Sequence, residues 1–86
     1  MPELCRFYGI VIRMYFGDHN PPHFHATYGS SEVVIGISTL AAIEGRLPPR
    51  AMGLLVEWAA GHQQDLLDAW ARARNHQAPG RIEPLT

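Results

Sequence analysis

The chain has 86 residues, a formal net charge of −1 and an apolar fraction of 47%, a composition typical of a folded domain. This charge gives no basis for predicting nucleic-acid or membrane binding. The single cysteine, Cys5, excludes an intrachain disulfide, as is typical of a reducing compartment. Because we find neither a signal-peptide pattern nor an apolar run near the ~20 residues of a membrane helix, we expect a cytoplasmic protein.

Residues 1–47 are rich in segments with the alternating pattern of strands. We predict strands at 10–16, 23–28 and 32–37, and a short fourth strand at 40–44. In the first strand one face is apolar and is predicted to lie in the core. That face consists of Ile10, Ile12, Met14 and Phe16. Since the intervening turns are too short for parallel crossovers, the strands are predicted to form an antiparallel meander.

Residues 48–76 change to a helical period. Pro48 and Pro49 suit the first turn of a helix, and apolar residues then recur at spacings of three and four up to Arg74. A glycine inside a helix costs about 1 kcal/mol relative to alanine. Gly61 therefore leaves two alternatives, one long helix or two shorter helices with a break near this residue.

The predicted fold is α+β, in a single domain over residues 1–86. An antiparallel meander of three or four strands precedes the helical half, and the helical half packs on the apolar face of the sheet. Residues 77–86 are predicted to form a short tail.

Three of the five histidines lie within seven residues, and they are the most chemically distinctive feature of the sequence: His19, His23 and His25. His23 and His25 are two apart on a predicted strand and therefore share one face. Pairing with the preceding strand is predicted to place Arg13 and Tyr15 on that same face, so the sequence predicts a cluster of polar side chains there.

Two functional interpretations of this cluster compete. In the first, His23 and His25 act as general acid and base in metal-free phosphodiester cleavage, Arg13 neutralises a phosphate, and Tyr15 donates a hydrogen bond. In the second, His19, His23 and His25 bind one divalent metal ion and leave a position open for water, which predicts hydrolysis. Histidines on a strand are also often surface residues without a chemical role, and a His-x-His pair alone does not decide among these interpretations.

Several segments together resemble a known prokaryotic family. Residues 6–16 (RFYGIVIRMYF), 18–19 (DH), 21–26 (PPHFHA) and 28–29 (YG) are similar to the opening of the family called domain of unknown function 4160. Residues 45–48, 57–59 and 82–85 are also similar to that family. Its members are often encoded beside a small protein of domain of unknown function 2442. The resemblance therefore implies a toxin-like component of a toxin–antitoxin pair, and it implies no catalytic residues.

These observations define the expected function. The leading expectation is a toxin-like protein that cleaves RNA without metal through the His/Arg/Tyr cluster. The alternatives are a non-catalytic protein-binding or regulatory module, and a small metal-dependent hydrolase. The expected partners are a cognate antitoxin-like protein, a second copy in a homodimer, and RNA or another cellular target, with no membrane. We expect no cofactor except a divalent metal ion under the hydrolase alternative.

Overall fold

A computed structural model of the chain describes residues 2–86 and contains five strands and two helices. The elements are β1 (Glu3–Phe7), β2 (Ile10–Arg13), β3 (His23–Tyr28), β4 (Ser31–Gly36), β5 (Ala42–Gly45), α1 (Pro49–Ala60) and α2 (Gln63–Arg74). The strands form one antiparallel sheet in the order β1-β2-β3-β4-β5. The predicted α+β fold is therefore confirmed, with one strand more than expected.

The additional strand is β1, which pairs with β2 through a two-residue turn at Tyr8 and Gly9. Leu4, Cys5 and Phe7 of this strand are buried. Since the adjacent residues Leu4 and Cys5 are both buried, the alternation of this strand is irregular and its sequence pattern is weak. Its outer edge is joined by the C-terminal tail, where the Ile82 backbone N–H donates a hydrogen bond to the Leu4 carbonyl oxygen at 3.0 Å.

The prediction that β2 continues to residue 16 with Phe16 in the core was wrong. The strand ends at Arg13, and the Phe16 side chain is 46% exposed. Beyond Met14 the chain leaves the sheet and turns towards α2, where the Gly17 backbone N–H donates to the Ala73 carbonyl oxygen at 3.0 Å. Once the backbone leaves the pleated sheet, successive side chains no longer alternate between the buried and the exposed face.

The helical half forms two helices rather than one. Gly61 and His62 separate α1 from α2, and their backbone N–H groups donate to the carbonyl oxygens of Trp58 and Ala59. The start of α2 is fixed against the sheet because the Gln63 side-chain amide donates to the Ile37 carbonyl oxygen at 2.8 Å. The break thus lets both helices follow the apolar face of the sheet.

Trp58 lies at the centre of the core and joins the sheet, α1 and the tail. Its ring centroid is 5.5 Å from that of Phe7 and 6.0 Å from that of Phe24. Its indole N–H donates to the Glu83 carbonyl oxygen at 2.8 Å, which satisfies the polar atom of a buried ring. One cluster of buried apolar side chains extends from β1 to the tail.

No helix of the described chain is long and apolar enough to cross a bilayer. Each of the two helices has only 12 residues.

A pair of glycine substitutions tests the close approach of β5 to β4. Gly45 and Gly29 both have positive φ, +72° and +59°, so alanine at either position is expected to cost about 1 to 2 kcal/mol from backbone strain. A Cβ at Gly45 would also meet the carbonyl oxygen of Glu32, whereas a Cβ at Gly29 would meet nothing. We expect Gly45→Ala to lower the free energy of unfolding by about 2 kcal/mol more than Gly29→Ala, as measured by urea denaturation. Equal losses would contradict this packing.

Candidate metal centre

His23 and His25 lie on the face of β3 opposite its buried residues. Both belong to β3, whose alternate residues Phe24 and Ala26 are fully buried in the core. The two histidines are half-buried, and their ring centroids are 5.3 Å apart. The strand geometry therefore fixes the direction of both imidazoles, because burial of Phe24 specifies the register.

The loop between β2 and β3 brings a carboxylate to these histidines. Asp18 Oδ2 lies 2.9 Å from His23 Nε2 and 3.7 Å from His25 Nε2. The other oxygen, Oδ1, accepts a hydrogen bond from the His19 backbone N–H at 2.9 Å. The loop is also held by α2, since Arg74 donates to the Asn20 side-chain oxygen at 3.4 Å.

The hydrogen bond between His23 Nδ1 and Pro21 determines the tautomer of the neutral His23 ring, and with it whether Nε2 can donate to Asp18. Its Nδ1 lies 2.8 Å from the Pro21 carbonyl oxygen, and a carbonyl oxygen only accepts, so Nδ1 carries a hydrogen. In the neutral ring Nε2 is then an acceptor, 2.9 Å from a carboxylate oxygen that also accepts. This contact requires a positive charge, which a proton on the ring or a bound cation would supply.

His25 presents the clearest unsatisfied polar groups of the site. Its Nδ1 lies 3.5 Å from Glu32 Oε2, and its Nε2 lies 3.7 Å from Asp18 Oδ2. Both nitrogens are buried, and neither has a hydrogen-bond partner among the described residues. Both distances are short enough for attraction between a charged imidazole and the carboxylates, but they are longer than a hydrogen bond. A buried polar group left without a partner costs about 1–3 kcal/mol.

Aromatic side chains surround the two histidines. Tyr15 contacts His25 edge-on, with ring centroids 4.3 Å apart. Trp70 of α2 lies 5.1 Å from the His23 ring, centroid to centroid. These contacts restrict rotation of the imidazoles and connect the centre to the helical half.

The structure brings together some of the residues predicted from the sequence and separates others. His23, His25 and Tyr15 are in contact. Arg13 is the register partner of His25 in β2, but its guanidinium donates to the Thr27 hydroxyl at 3.4 Å. His19 is exposed, and its backbone N–H contacts the cluster.

Asp18 was not among the site residues predicted from the sequence, although its carboxylate completes the group of candidate ligands with His23 and His25. A sequence signal for it exists. It precedes His23 by five residues, and the intervening Pro21 and Pro22 favour a turn that folds the loop back towards β3.

The environment of Asp18 shifts its acidity. Burial alone would raise the pKa of the Asp18 carboxyl. The hydrogen bond from the His19 backbone and the charges of His23 and His25 outweigh burial and lower that pKa below its ordinary value of 3.8. The anionic form, which is the form that binds cations, is therefore the stable one near neutral pH.

The cluster lies at an open cleft of about 290 Å³. Its lining consists of Asp18, His19, Asn20, Pro21, His23, His25, Val34, Ile43 and Glu44. The far wall comes from β5, where the register with β4 shifts between the pairs Val34–Glu44 and Ile35–Ala42, so Ile43 is unpaired. Such bulges redirect side chains, and here Ile43 and Glu44 both face the cleft.

The three side chains are close enough together to be candidate ligands of one metal ion. One ligand atom each from Asp18, His23 and His25 can be chosen so that all lie within 4.8 Å of one another. Two ligand atoms about 2.1 Å from a shared ion are about 3.0 to 3.6 Å apart at angles of about 90° to 120°. The distances of 2.9 and 3.7 Å from Asp18 to the two histidines are close to that range.

Comparison with known proteins identifies one family. The family model described as "Domain of unknown function (DUF4160)" matches residues 9–71, which is well over half of the chain and includes Asp18, His23 and His25. No curated protein and no solved structure matches the chain.

The lowered pKa of Asp18 predicts a defined acid dependence of stability. Since the folded pKa lies below the unfolded value, this carboxylate stabilises the fold above about pH 4, and the contribution is lost as the pH falls through the folded pKa. We expect the free energy of unfolding of Asp18→Asn to depend less on pH than that of the wild type between about pH 5 and about pH 2.5. Urea unfolding measures both profiles, and parallel profiles would contradict the assignment.

Proposed function

The chain belongs to the DUF4160 family, a domain of unknown function, and we propose that it is a divalent-metal-binding protein of the hydrolase type. Asp18, His23 and His25 are the proposed ligands. The observation that carries the proposal is the state of His25, whose two ring nitrogens are buried without hydrogen-bond partners. An ion beside Asp18 would satisfy Nε2, and a small shift of Glu32 would satisfy Nδ1.

Both histidines have the arrangement expected of metal ligands. Each directs Nε2 towards Asp18 and Nδ1 towards an acceptor, the Pro21 carbonyl oxygen for His23 and the Glu32 carboxylate for His25. Metal-bound histidines almost always donate their second ring N–H to a carbonyl or carboxylate, which fixes the tautomer and ring orientation. Pro21 and Glu32 are thus the proposed orienting partners.

The proposed ligand set is of a type found in catalytic metal sites. Two imidazoles and one carboxylate form a three-ligand set of the kind found in catalytic zinc and non-haem iron sites. A divalent ion held in this way supplies Lewis-acid and water-activating chemistry. The cleft of about 290 Å³ beside the ligands gives a substrate access, so metal-assisted hydrolysis is the proposed reaction class.

Metal-free RNA cleavage with His23 and His25 as acid and base receives less support. A general acid or base must come within hydrogen-bond distance of the substrate. Both His25 nitrogens are buried, and His23 Nδ1 is engaged with Pro21. Arg13, the proposed phosphate ligand in that mechanism, contacts Thr27 and does not line the cleft.

For the cellular role we propose the toxin-like half of a toxin–antitoxin pair, located in the cytoplasm. Family membership and the gene pairing that the resemblance implies support this role. The proposed partner is an antitoxin-like protein, and RNA is one proposed target. A non-catalytic module in which the ion only stabilises the fold is the alternative, and hydrolytic activity distinguishes the two.

Metal binding tests the first part of the proposal. After treatment with a chelator, the wild-type chain should bind one Zn²⁺ ion in isothermal titration calorimetry. Asp18→Asn, His23→Ala and His25→Ala should each weaken binding by more than about 100-fold, because even outer partners of metal ligands contribute about 10- to 100-fold. Glu32→Ala should weaken it by that smaller factor.

His19→Ala is the matched control, since it removes a neighbouring histidine whose ring is outside the proposed ligand set. It should bind Zn²⁺ as the wild type does. A wild-type chain that binds no Zn²⁺, or that loses affinity equally in His19→Ala, would refute the proposed ligand set.

Expression in a bacterium tests the cellular role. Induction of the wild-type chain alone should arrest growth, and co-expression of its gene neighbour should restore it. His25→Ala should abolish the arrest, and His76→Ala, which removes an exposed histidine outside the cleft, should retain it, at equal protein levels on an immunoblot. Normal growth with the wild-type chain would count against a toxin-like role and would leave the metal-binding result unaffected.

A further inference from the structure

A second surface with the features of a binding site lies at the other end of the sheet. Tyr28 ends β3, five residues from His23, which is about 17 Å along a strand. Tyr8 lies nearby in the turn between β1 and β2, where the Tyr28 ring packs close to Gly9. The Tyr8 side chain is 60% exposed and that of Tyr28 is 39% exposed.

Tyr8 has a backbone conformation that the fold alone does not favour. Its φ is +49°, followed by +84° at Gly9, which are the angles of a two-residue type I′ turn. Such turns prefer Asn-Gly, and a bulky residue at positive φ is an outlier. The turn itself does not require an aromatic ring at this position, and the ring is mostly exposed, so it is accessible to a ligand.

The two tyrosines line a concave site. We call it the tyrosine cleft, a depression of about 150 Å³ lined by Tyr8, Tyr28, Pro48, Arg50, Ala51 and Leu54. Its apolar lining and its size suit one apolar side chain. A second depression, which includes Ser31 and Arg46, adjoins it at Pro48.

Two exposed arginines lie at this end of the molecule. Arg46 and Arg50 line the two adjoining depressions, and neither forms an ion pair with another residue in the range 2–86. Arginines without partners beside an apolar cleft favour a ligand with carboxylates next to an apolar group.

We propose that the tyrosine cleft binds a short acidic segment of a protein partner. One apolar side chain of that segment enters the cleft between Tyr8 and Tyr28, and flanking carboxylates pair with Arg46 and Arg50. A peptide is favoured over single-stranded nucleic acid for two reasons. Only two arginines without ion-pair partners line these depressions, whereas phosphate contacts dominate nucleic-acid affinity, and the site is a cleft rather than a flat stacking platform.

Selection of peptides from a random library on the purified 86-residue chain tests this proposal. We expect the enriched sequences to share acidic residues around one leucine or aromatic residue. A fluorescein-labelled peptide of that consensus should bind Tyr8→Asn at least about tenfold more weakly than wild type, as expected for loss of one aromatic anchor. Arg50→Glu should have a similar effect.

The variants separate binding from folding. Tyr8→Asn creates the favoured Asn-Gly turn, so its melting temperature should equal or exceed that of wild type while binding falls. Phe16→Asn removes an exposed ring elsewhere and should leave peptide affinity unchanged. A consensus without acidic residues, peptide binding that survives Tyr8→Asn, or binding of a short oligouridylate that Tyr8→Asn abolishes would each overturn the proposal.

Discussion

The alternation of side chains along β3 is the constraint on which both the core and the candidate metal centre depend. Phe24 lies against Trp58 in the core, and the same backbone must then direct His23 and His25 to the opposite face. Because β3 pairs with strands on both sides, a register shift of one residue would expose Phe24 and bury the imidazoles. The positions of the two proposed ligands are therefore fixed by the burial of an apolar ring.

The third proposed ligand is positioned by the helical half of the chain. The loop that carries Asp18 is joined to α2 through the hydrogen bond of Gly17 with Ala73 and that of Arg74 with Asn20. Trp70 of the same helix contacts the His23 ring. The centre thus depends on both halves of the fold, and the family match likewise extends from residue 9, just before β2, to residue 71 in α2.

The sequence predicted the elements with regular periodicity and missed what depends on packing between elements. The strands β3 and β4 alternate clearly and were predicted, whereas in β1 the adjacent residues Leu4 and Cys5 are both buried, so no alternation marks it. Phe16 continues the alternation of β2, yet contacts with α2 draw its backbone out of the sheet. The shared face of His23 and His25 follows from strand geometry alone. The approach of Asp18 depends on how its loop folds, and the direction of Arg13 depends on its rotamer, so neither was predictable from periodicity.

In the proposed centre, His23 and His25 bind a divalent ion through Nε2 while Nδ1 keeps its hydrogen. Long-range nitrogen–proton NMR correlation spectra distinguish the two ring nitrogens of each histidine directly. On addition of Zn²⁺, we expect large shifts of the Nε2 resonances of His23 and His25, with Nδ1 protonated in both and with the ring resonances of His19 unchanged. Ligation through Nδ1, or a response confined to other histidines, would contradict it.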